Sequence, residues 1–205
     1  MNAIIYILSF LLMAAGSTKQ EDKNNSALTE QNTNTQLINN AQTDFISDTL
    51  YASEDKDYFV IGNAKTKQIT SISIKYKPNV LFTDFQVKPV SPKPKIKIDW
   101  NSYKDAKHFK TRISEACNKE NVNFAGHYCF VYWGCGSECF VSMVVDALTG
   151  KIYDGVGATS GFDFKPDSKM LIVNPPDSTG FYSDRSYCKP IIYIWDEKSK
   201  TFIER

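Results

Sequence analysis

Residues 121–155, NVNFAGHYCFVYWGCGSECFVSMVVDALTGKIYDG, decide the fold of this chain. Two runs within them, 127–133 and 140–145, are rich in aromatic and β-branched side chains. The short segment between the runs, GCGSE, supplies two glycines and a serine, which suit a tight loop that needs positive φ. This arrangement is typical of a β-hairpin. The sequence therefore predicts a hairpin at the centre of the C-terminal part of the protein.

Strand alternation divides the hairpin's side chains between two faces. If Gly136 is the centre of the loop, Trp133 lies opposite Cys139 and His127 lies opposite Val145. One face is then predicted to carry His127, Cys129, Val131, Trp133, Val141, Met143 and Val145. The other is predicted to carry Tyr128, Phe130, Tyr132, Phe140 and Val144, with the more polar Ser142 and Asp146. Because both faces are largely apolar, we expect a covering layer on each.

A single amphipathic helix is predicted before the hairpin, over residues 102–119. Its apolar residues recur at helical spacing, and Ser102 and Asp105 have the spacing of an N-terminal capping box. The apolar stripe needs a partner, and the hairpin is the nearest one. We therefore expect an α+β fold in which one amphipathic helix packs on a mostly antiparallel β-sheet, with a small N-terminal β unit.

Composition divides the chain into five segments. Residues 1–16 have no charged side chain and combine a short apolar run with small residues, which predicts a secretory signal peptide; an uncleaved anchor is the alternative. Residues 17–47 are polar and low in complexity, which predicts a disordered linker. Residues 48–88 form the small β unit, 89–98 a proline- and lysine-rich connector, and 99–205 the main α+β domain.

Further strands are predicted on both sides of the helix and hairpin. Strand-like runs occur at 58–61, 69–76 and 80–87 in the small β unit. After the hairpin, residues 162–173 have a strand–turn–strand pattern, and 190–203 predict a closing hairpin around an Asp-Glu-Lys turn.

The charges of the chain nearly cancel, with 24 Lys and Arg against 23 Asp and Glu. No strong field of one sign is implied, so nucleic acid is not an expected partner. Once the signal peptide is cleaved, no stable membrane span is expected. Export and the cysteine content together predict a secreted or periplasmic protein.

The five cysteines are interpreted as a disulfide framework with one residue left over. Cys135 and Cys139 flank the hairpin loop, and a tight glycine-containing loop can bring their Cα atoms into disulfide range. Cys117 and Cys188 are predicted as a second pair. Cys129 is then the unpaired residue, facing inward as a small hydrophobe.

Catalytic constellations are scarce. Eight strand residues place Cys135 on the order of 26 Å from His127, and Cys129 lies ~6–7 Å from it, too far for a hydrogen bond. The C-x-x-x-C spacing in a hairpin differs from the two-residue spacing at a helix start that a redox pair uses. No metal-ligand spacing is recognised and no cofactor is expected.

Three motifs carry a resemblance to known proteins: NFAGHY at 123–128, WGCGSEC at 133–139 and the D-x-x-T-G turn at 146–150. Together they resemble a group of uncharacterised bacterial secreted proteins, over roughly residues 96–195. The resemblance implies export and a single α+β domain, and it implies no activity. Cys135 and Cys139 lie on its motif.

The favoured hypothesis is a non-catalytic exported domain that binds a protein or another component of the cell envelope. The residues of its candidate functional surface are His127, Tyr132, Trp133, Gly134 and Gly136. The alternative hypothesis is a thiol-dependent enzyme that uses Cys135 or Cys129.

Overall fold

The computed structural model describes residues 49–52, 56–63 and 65–205. The predicted signal peptide (1–16) and linker (17–47) lie outside the described residues. Within the described part, eleven strands, one α-helix and three short 3-10 helices form an α+β fold, which confirms the predicted class. None of the helices in this part is long and apolar enough to cross a membrane.

The described strands form three antiparallel sheets, which we name by their place in the chain. The N-terminal sheet has the order β1–β2–β3–β9 and consists of β1 (Thr49–Ala52), β2 (Tyr58–Gly62), β3 (Ile69–Lys75) and β9 (Phe181–Ser183). The central sheet has the order β4–β5–β6 and consists of β4 (Tyr128–Gly136), β5 (Cys139–Asp146) and β6 (Ile152–Asp154). The C-terminal sheet has the order β11–β10–β8–β7 and consists of β7 (Phe162–Phe164), β8 (Met170–Val173), β10 (Ile191–Asp196) and β11 (Thr201–Glu204).

The predicted hairpin is formed by β4 and β5, but its register differs from the predicted one. Trp133 lies opposite Val141 instead of Cys139, and Val145 lies opposite Cys129 instead of His127. The reason is the turn, which consists of residues 137–138 and follows a bulge between Gly134 and Gly136. The displacement is two residues, and side chains alternate with a period of two, so the two predicted faces are preserved.

Each face of the central sheet is covered by a different layer. The helix α1 (Lys110–Glu120) covers the face that carries Cys129 and Val131, where Ile113 and Cys117 are buried. The C-terminal sheet covers the opposite face. There the buried residues include Phe124, Tyr128, Phe130, Val144, Leu171, Val173 and Trp195. The apolar character of both hairpin faces is therefore explained by a three-layer arrangement, with the central sheet in the middle.

The start of the helix differs from the prediction. A 3-10 segment, Lys104–Phe109, precedes α1, and its N-terminus has no side-chain cap. The hydroxyl of Ser102 instead donates to the carbonyl oxygen of Asp99 (2.6 Å) and accepts from the backbone N–H of Ile152 (2.9 Å). The predicted capping box is wrong because a contact with β6, distant in sequence, uses the serine.

The small N-terminal β unit is present, but its own residues do not complete it. Strand β9, from the C-terminal part of the chain, pairs with β3 and supplies the fourth strand. The strand expected at 80–87 is wrong, since Phe82–Phe85 is a 3-10 turn. There the carboxylate of Asp84 accepts from the backbone N–H of Leu81 (2.8 Å), a local bond that competes with an extended backbone.

The turn between β5 and β6 anchors the proline- and lysine-rich connector. The carboxylate of Asp146 accepts from the backbone N–H of Leu148 (2.9 Å) and the hydroxyl of Thr149 (2.8 Å). Gly150 follows with a φ of +78°, and its carbonyl oxygen accepts from the backbone N–H of Asp99 (2.8 Å). A Cβ atom at position 150 would overlap the carbonyl oxygen of Lys97. Only glycine fits this contact.

Gly150→Ala tests the anchoring role of this turn. The positive φ alone costs about 1–2 kcal/mol for an L-residue, and the overlap with Lys97 adds to that cost. We expect the free energy of unfolding of the full chain to fall by more than about 2 kcal/mol, as measured by chemical denaturation. Gly157→Ala is the matched control, because a Cβ atom there meets nothing closer than 3.6 Å. Similar losses in both variants would contradict the assignment.

Ile113→Ala tests the packing of α1 on the central sheet. Ile113 is fully buried, so the truncation should lower the free energy of unfolding by about 2–5 kcal/mol. Thr111 is exposed on the same helix, and Thr111→Ala should change stability by less than about 0.5 kcal/mol. Denaturation of the two variants side by side measures the difference, and equal effects would show that α1 does not cover the sheet.

Candidate functional site

The outer edge of the central sheet is formed by β4, whose other side pairs with β5. At its beginning this edge is closed by nearby residues. The backbone N–H of Tyr128 donates to the carbonyl oxygen of Phe124 (3.0 Å), and the N–H of Phe124 donates back to Tyr128 (3.0 Å). The edge is therefore satisfied where the strand starts.

The side chain of Asn123 closes the next position of the edge. Its Oδ1 accepts from the backbone N–H of Phe130 (2.7 Å), and its Nδ2 donates to the carbonyl oxygen of Phe130 (3.0 Å). These are the two hydrogen bonds that a neighbouring strand would make with Phe130. One side-chain amide thus replaces one residue of a missing strand.

The edge is open beyond Phe130, at Tyr132 and Gly134. In an antiparallel ladder the backbone groups of alternate residues point the same way, so those of Tyr132 and Gly134 point outward with those of Phe130. The opposite strand supports this orientation. Phe140 lies opposite Gly134, and its N–H and C=O are bonded to Ala158, on the side of β5 away from β4. The backbone groups of Phe140 therefore do not bond Gly134, and those of Gly134 point outward. Within residues 49–52, 56–63 and 65–205, neither Tyr132 nor Gly134 has a hydrogen-bond partner on this outward side.

A groove of about 490 Å³ lies against β4, from Asn123 and Phe130 to the open position at Tyr132. The helix α1 forms one wall and contributes Arg112 and Ala116. Phe164 of β7 borders the groove on the other side of the sheet, where its ring lies 6.2 Å from that of Tyr132. Trp133 also lines the groove, with its ring 4.8 Å from that of Phe109. The aromatic side chains are held by packing and still face the groove.

The residues of the candidate functional surface fall into two places. Tyr132 and Trp133 line the groove, and the side chain of Tyr132 is 45% exposed. Gly134 and Gly136 lie next to them, on the exposed end of the hairpin. His127 lies at the opposite end of β4, about 20 Å away along the strand. The structure therefore brings four of the five together and separates His127 from them.

His127 belongs to a polar cluster that joins β4 to the turn between β10 and β11. The hydroxyl of Tyr128 donates to Glu197 Oε1 (2.6 Å) and accepts from Lys200 Nζ (2.6 Å), and Lys200 also contacts Glu197 (2.8 Å). The Nε2 atom of His127 lies 3.4 Å from Glu197 Oε1. Every charged group of this cluster has a partner inside it, which is the pattern of a structural joint.

The pKa values of this cluster follow from its burial and hydrogen bonds. Burial, helped by the hydrogen bond to Glu197, raises the pKa of Tyr128 from 10.0 to about 12. Partial burial by itself would raise the pKa of Glu197, but hydrogen bonds from Lys200 and Tyr128 outweigh it and leave this pKa below its usual value. With a pKa of about 12, the Tyr128 hydroxyl keeps its proton at neutral pH and is not available as a general base.

The cysteines are only partly arranged as predicted. Cys135 and Cys139 form the predicted disulfide, with Cα atoms 5.2 Å apart. Cys117 and Cys188 are unbonded, so the predicted second disulfide is wrong. The reason is that Cys117 points from α1 into the core, where it contacts Cys129, the residue predicted to be left over.

The environment of Cys129 is unfavourable for nucleophilic chemistry. A hydrogen bond with Cys117 and complete burial raise the pKa of Cys129 well above its ordinary value. Reactive cysteines have the opposite property, a lowered pKa and access to solvent. Among the residues that the structure describes, no group of His, Cys, Asp or Glu is arranged to hold a metal ion.

Sequence reasoning missed three contributors to the groove. Ala116 was assigned to the apolar stripe of the helix and Phe164 to a strand, but neither pattern shows that both reach the β4 edge. Nothing in the sequence marked Asn123, because its role is to hydrogen-bond the backbone of Phe130, and that role depends on the position of the β4 edge in the fold. These contacts join parts of the chain that are far apart in sequence.

Tyr128→Phe tests the polar cluster. Losing the hydroxyl should lower the free energy of unfolding at pH 7 by about 1–2 kcal/mol, because the variant removes two short hydrogen bonds to charged groups, one to Glu197 and one from Lys200. The folded-state pKa of about 12 exceeds the value of 10.0 that applies to the unfolded chain. The stability that the protonated Tyr128 hydroxyl contributes is therefore complete below about pH 10 and is lost as the pH rises toward 12.

The variant should consequently lose less stability than the wild type above pH 10, as chemical denaturation between pH 7 and 11 would measure. Tyr132→Phe is the control, since its side chain is 45% exposed and lies in the groove, away from this cluster. An identical alkaline decline in wild type and Tyr128→Phe would show that the hydroxyl is not held as described.

Comparisons with protein-family models, with curated proteins and with solved structures found no match for this chain.

Proposed function

We propose that this protein is a non-catalytic binding domain of the cell envelope and that its ligand occupies the groove beside β4. The observation that carries the proposal is the open edge at Tyr132 and Gly134, which adjoins the aromatic lining of the groove. The backbone groups of an open edge can exchange water for a ligand's hydrogen-bonding groups, and exposed aromatic surface is unfavourable in water. A ligand that covers both therefore gains directed hydrogen bonds and apolar burial together.

A secreted or periplasmic location is part of the proposal. The composition of residues 1–16 supports it, as does the Cys135–Cys139 disulfide on the exposed hairpin end. An exposed disulfide persists where the surroundings are oxidising, which favours an exported protein. The disulfide closes the hairpin beside the groove and so stiffens one end of the proposed site.

The thiol-enzyme hypothesis gains no support from the two cysteines it requires. Cys135 is bonded to Cys139, and Cys129 is buried with a raised pKa. The charged side chains that line the groove are Arg112, Glu115, Lys119 and Glu120. Such side chains on an open helix wall are suited to contacting a ligand. The described residues that line the groove include no Cys, Ser, Thr or His, the usual members of a nucleophile–base pair.

Site-specific photo-crosslinking tests the proposal. A benzophenone amino acid at position 132 of the full chain should crosslink a component of the cell envelope, whereas the same group at position 148 should not. Both side chains are exposed, at 45% for Tyr132 and 58% for Leu148, so access to solvent does not explain a difference.

Variants of the helix wall decide whether such a crosslink comes from the groove. Glu115→Trp fills the groove from an exposed position, and it should reduce the crosslink at position 132 by at least about tenfold. Thr111→Trp adds the same side chain to α1 at an exposed position outside the groove lining, and it should leave the crosslink unchanged. Equal crosslinking from positions 132 and 148, or indifference to Glu115→Trp, would contradict the proposed site.

A further inference from the structure

We infer that the ligand of this groove is an extended peptide that joins the central sheet as a fourth strand beside β4. The inference rests on the proposed function and specifies the class of ligand. Tyr132 and Gly134 are two residues apart and present four outward backbone groups, two N–H donors and two C=O acceptors. A peptide backbone in antiparallel or parallel register satisfies such groups with alternate residues.

Asn123 shows where the added strand must stop. Its amide already makes the two hydrogen bonds that a strand would make at Phe130. At the other end the β4 edge is interrupted by the bulge between Gly134 and Gly136, next to the disulfide. The open stretch therefore admits about three to five residues of an extended chain, at roughly 3.3 Å per residue.

The walls of the groove favour a single extended chain over a second copy of this protein. The helix α1 stands beside the same edge, and Phe164 borders it from the other side of the sheet. Any folded sheet brings its own covering layers, about 10 Å from the strand plane, and these would collide with α1. An isolated peptide places only its alternating side chains toward the two walls.

The lining of the groove indicates which side chains the peptide carries. One set of alternate residues faces Ala116 and Trp133, and the other set faces Tyr132 and Phe164, so both sets contact apolar surface. The charged side chains of the helix wall cancel, with Arg112 and Lys119 balanced by Glu115 and Glu120. A wall whose charges balance favours neither an acidic nor a basic ligand, so we expect a peptide with little net charge and with apolar side chains on both sides.

A peptide library supplies the probe. Random decapeptides displayed on phage are selected on the purified full chain, and binders that lose affinity for Glu115→Trp are kept as groove ligands. Each is synthesised with an N-methyl group at one backbone nitrogen at a time. Strand addition predicts that affinity falls by at least about tenfold at every second residue of the central stretch and changes little at the residues between.

Two variants at position 132 examine the same bonds from the protein side. The N–H of Tyr132 points away from β5, so proline there removes an outward donor and leaves the β4–β5 ladder intact. Tyr132→Pro should bind the selected peptides at least about tenfold more weakly than Tyr132→Val, which keeps the N–H and also lacks the ring. If Tyr132→Pro does not fold, the N-methyl series decides alone.

The possible outcomes separate this inference from the proposed function. Groove ligands whose affinity shows no two-residue periodicity on N-methylation would overturn strand addition and leave the binding groove standing. A library without groove ligands, together with absent crosslinks at position 132, would overturn both. A dimer of the full chain that Tyr132→Pro dissociates would show that a second copy is the occupant and would overturn the peptide.

Discussion

The hairpin of β4 and β5 is apolar on both faces, and the burial of these faces is the constraint from which the architecture follows. Cys129, Val131, Met143 and Val145 require one covering layer, and Phe130 with its neighbours on the other face requires a second. Each fully buried side chain of this size contributes about 1.5–3 kcal/mol relative to exposure in water. A sheet that carries such side chains on both faces is stable only as a middle layer, so α1 and the C-terminal sheet must lie on either side.

Layers that cover the faces of a sheet do not pair the backbone groups of its edge strands. The backbone groups of an edge strand need partners of their own, and proteins blunt such edges to avoid uncontrolled pairing. In β4 this protection covers only the first part of the strand. Phe124 hydrogen-bonds the edge at Tyr128, and the amide of Asn123 does so at Phe130. Within the described residues, the outward backbone groups of Tyr132 and Gly134 have no partner. The open part lies between the two covering layers, which turns an unsatisfied edge into a walled groove.

Polar joints fix the layers relative to each other. The Tyr128 hydroxyl connects the central sheet to Glu197 and Lys200 of the C-terminal sheet's turn. On the helix side, the hydroxyl of Ser102 is hydrogen-bonded to Ile152 of β6. The backbone N–H of Asp99, just after the connector, donates to the carbonyl oxygen of Gly150. The Tyr128 hydroxyl is buried and would cost free energy without a partner, so its bonds favour one packing of the two sheets over alternatives with the same apolar contacts. The bonds of Ser102 and Gly150 hold the segment before α1 against the central sheet.

Local properties of the chain were enough to predict much of this molecule. The alternation of side chains assigned both faces of the hairpin, the spacing of Cys135 and Cys139 indicated their disulfide, and the apolar stripe placed α1 on the sheet. These predictions hold because strand and helix periodicities belong to the backbone itself. They survive a register displaced by two residues, since such a displacement returns every side chain to its own face.

Contacts between distant segments decided the rest. Cys117 lies in the core against Cys129, with both thiols unbonded, and so does not reach Cys188. The hydrogen bond from the backbone N–H of Ile152 engages the Ser102 hydroxyl that was expected to cap the helix. The register alone was set locally, by the bulge before the turn. The groove arises from distant contacts as well, because α1, β4 and β7 meet at one edge although they are separated in sequence. Which backbone groups of an edge strand remain open depends on every neighbour that could reach them, and that information exists only once the chain has folded.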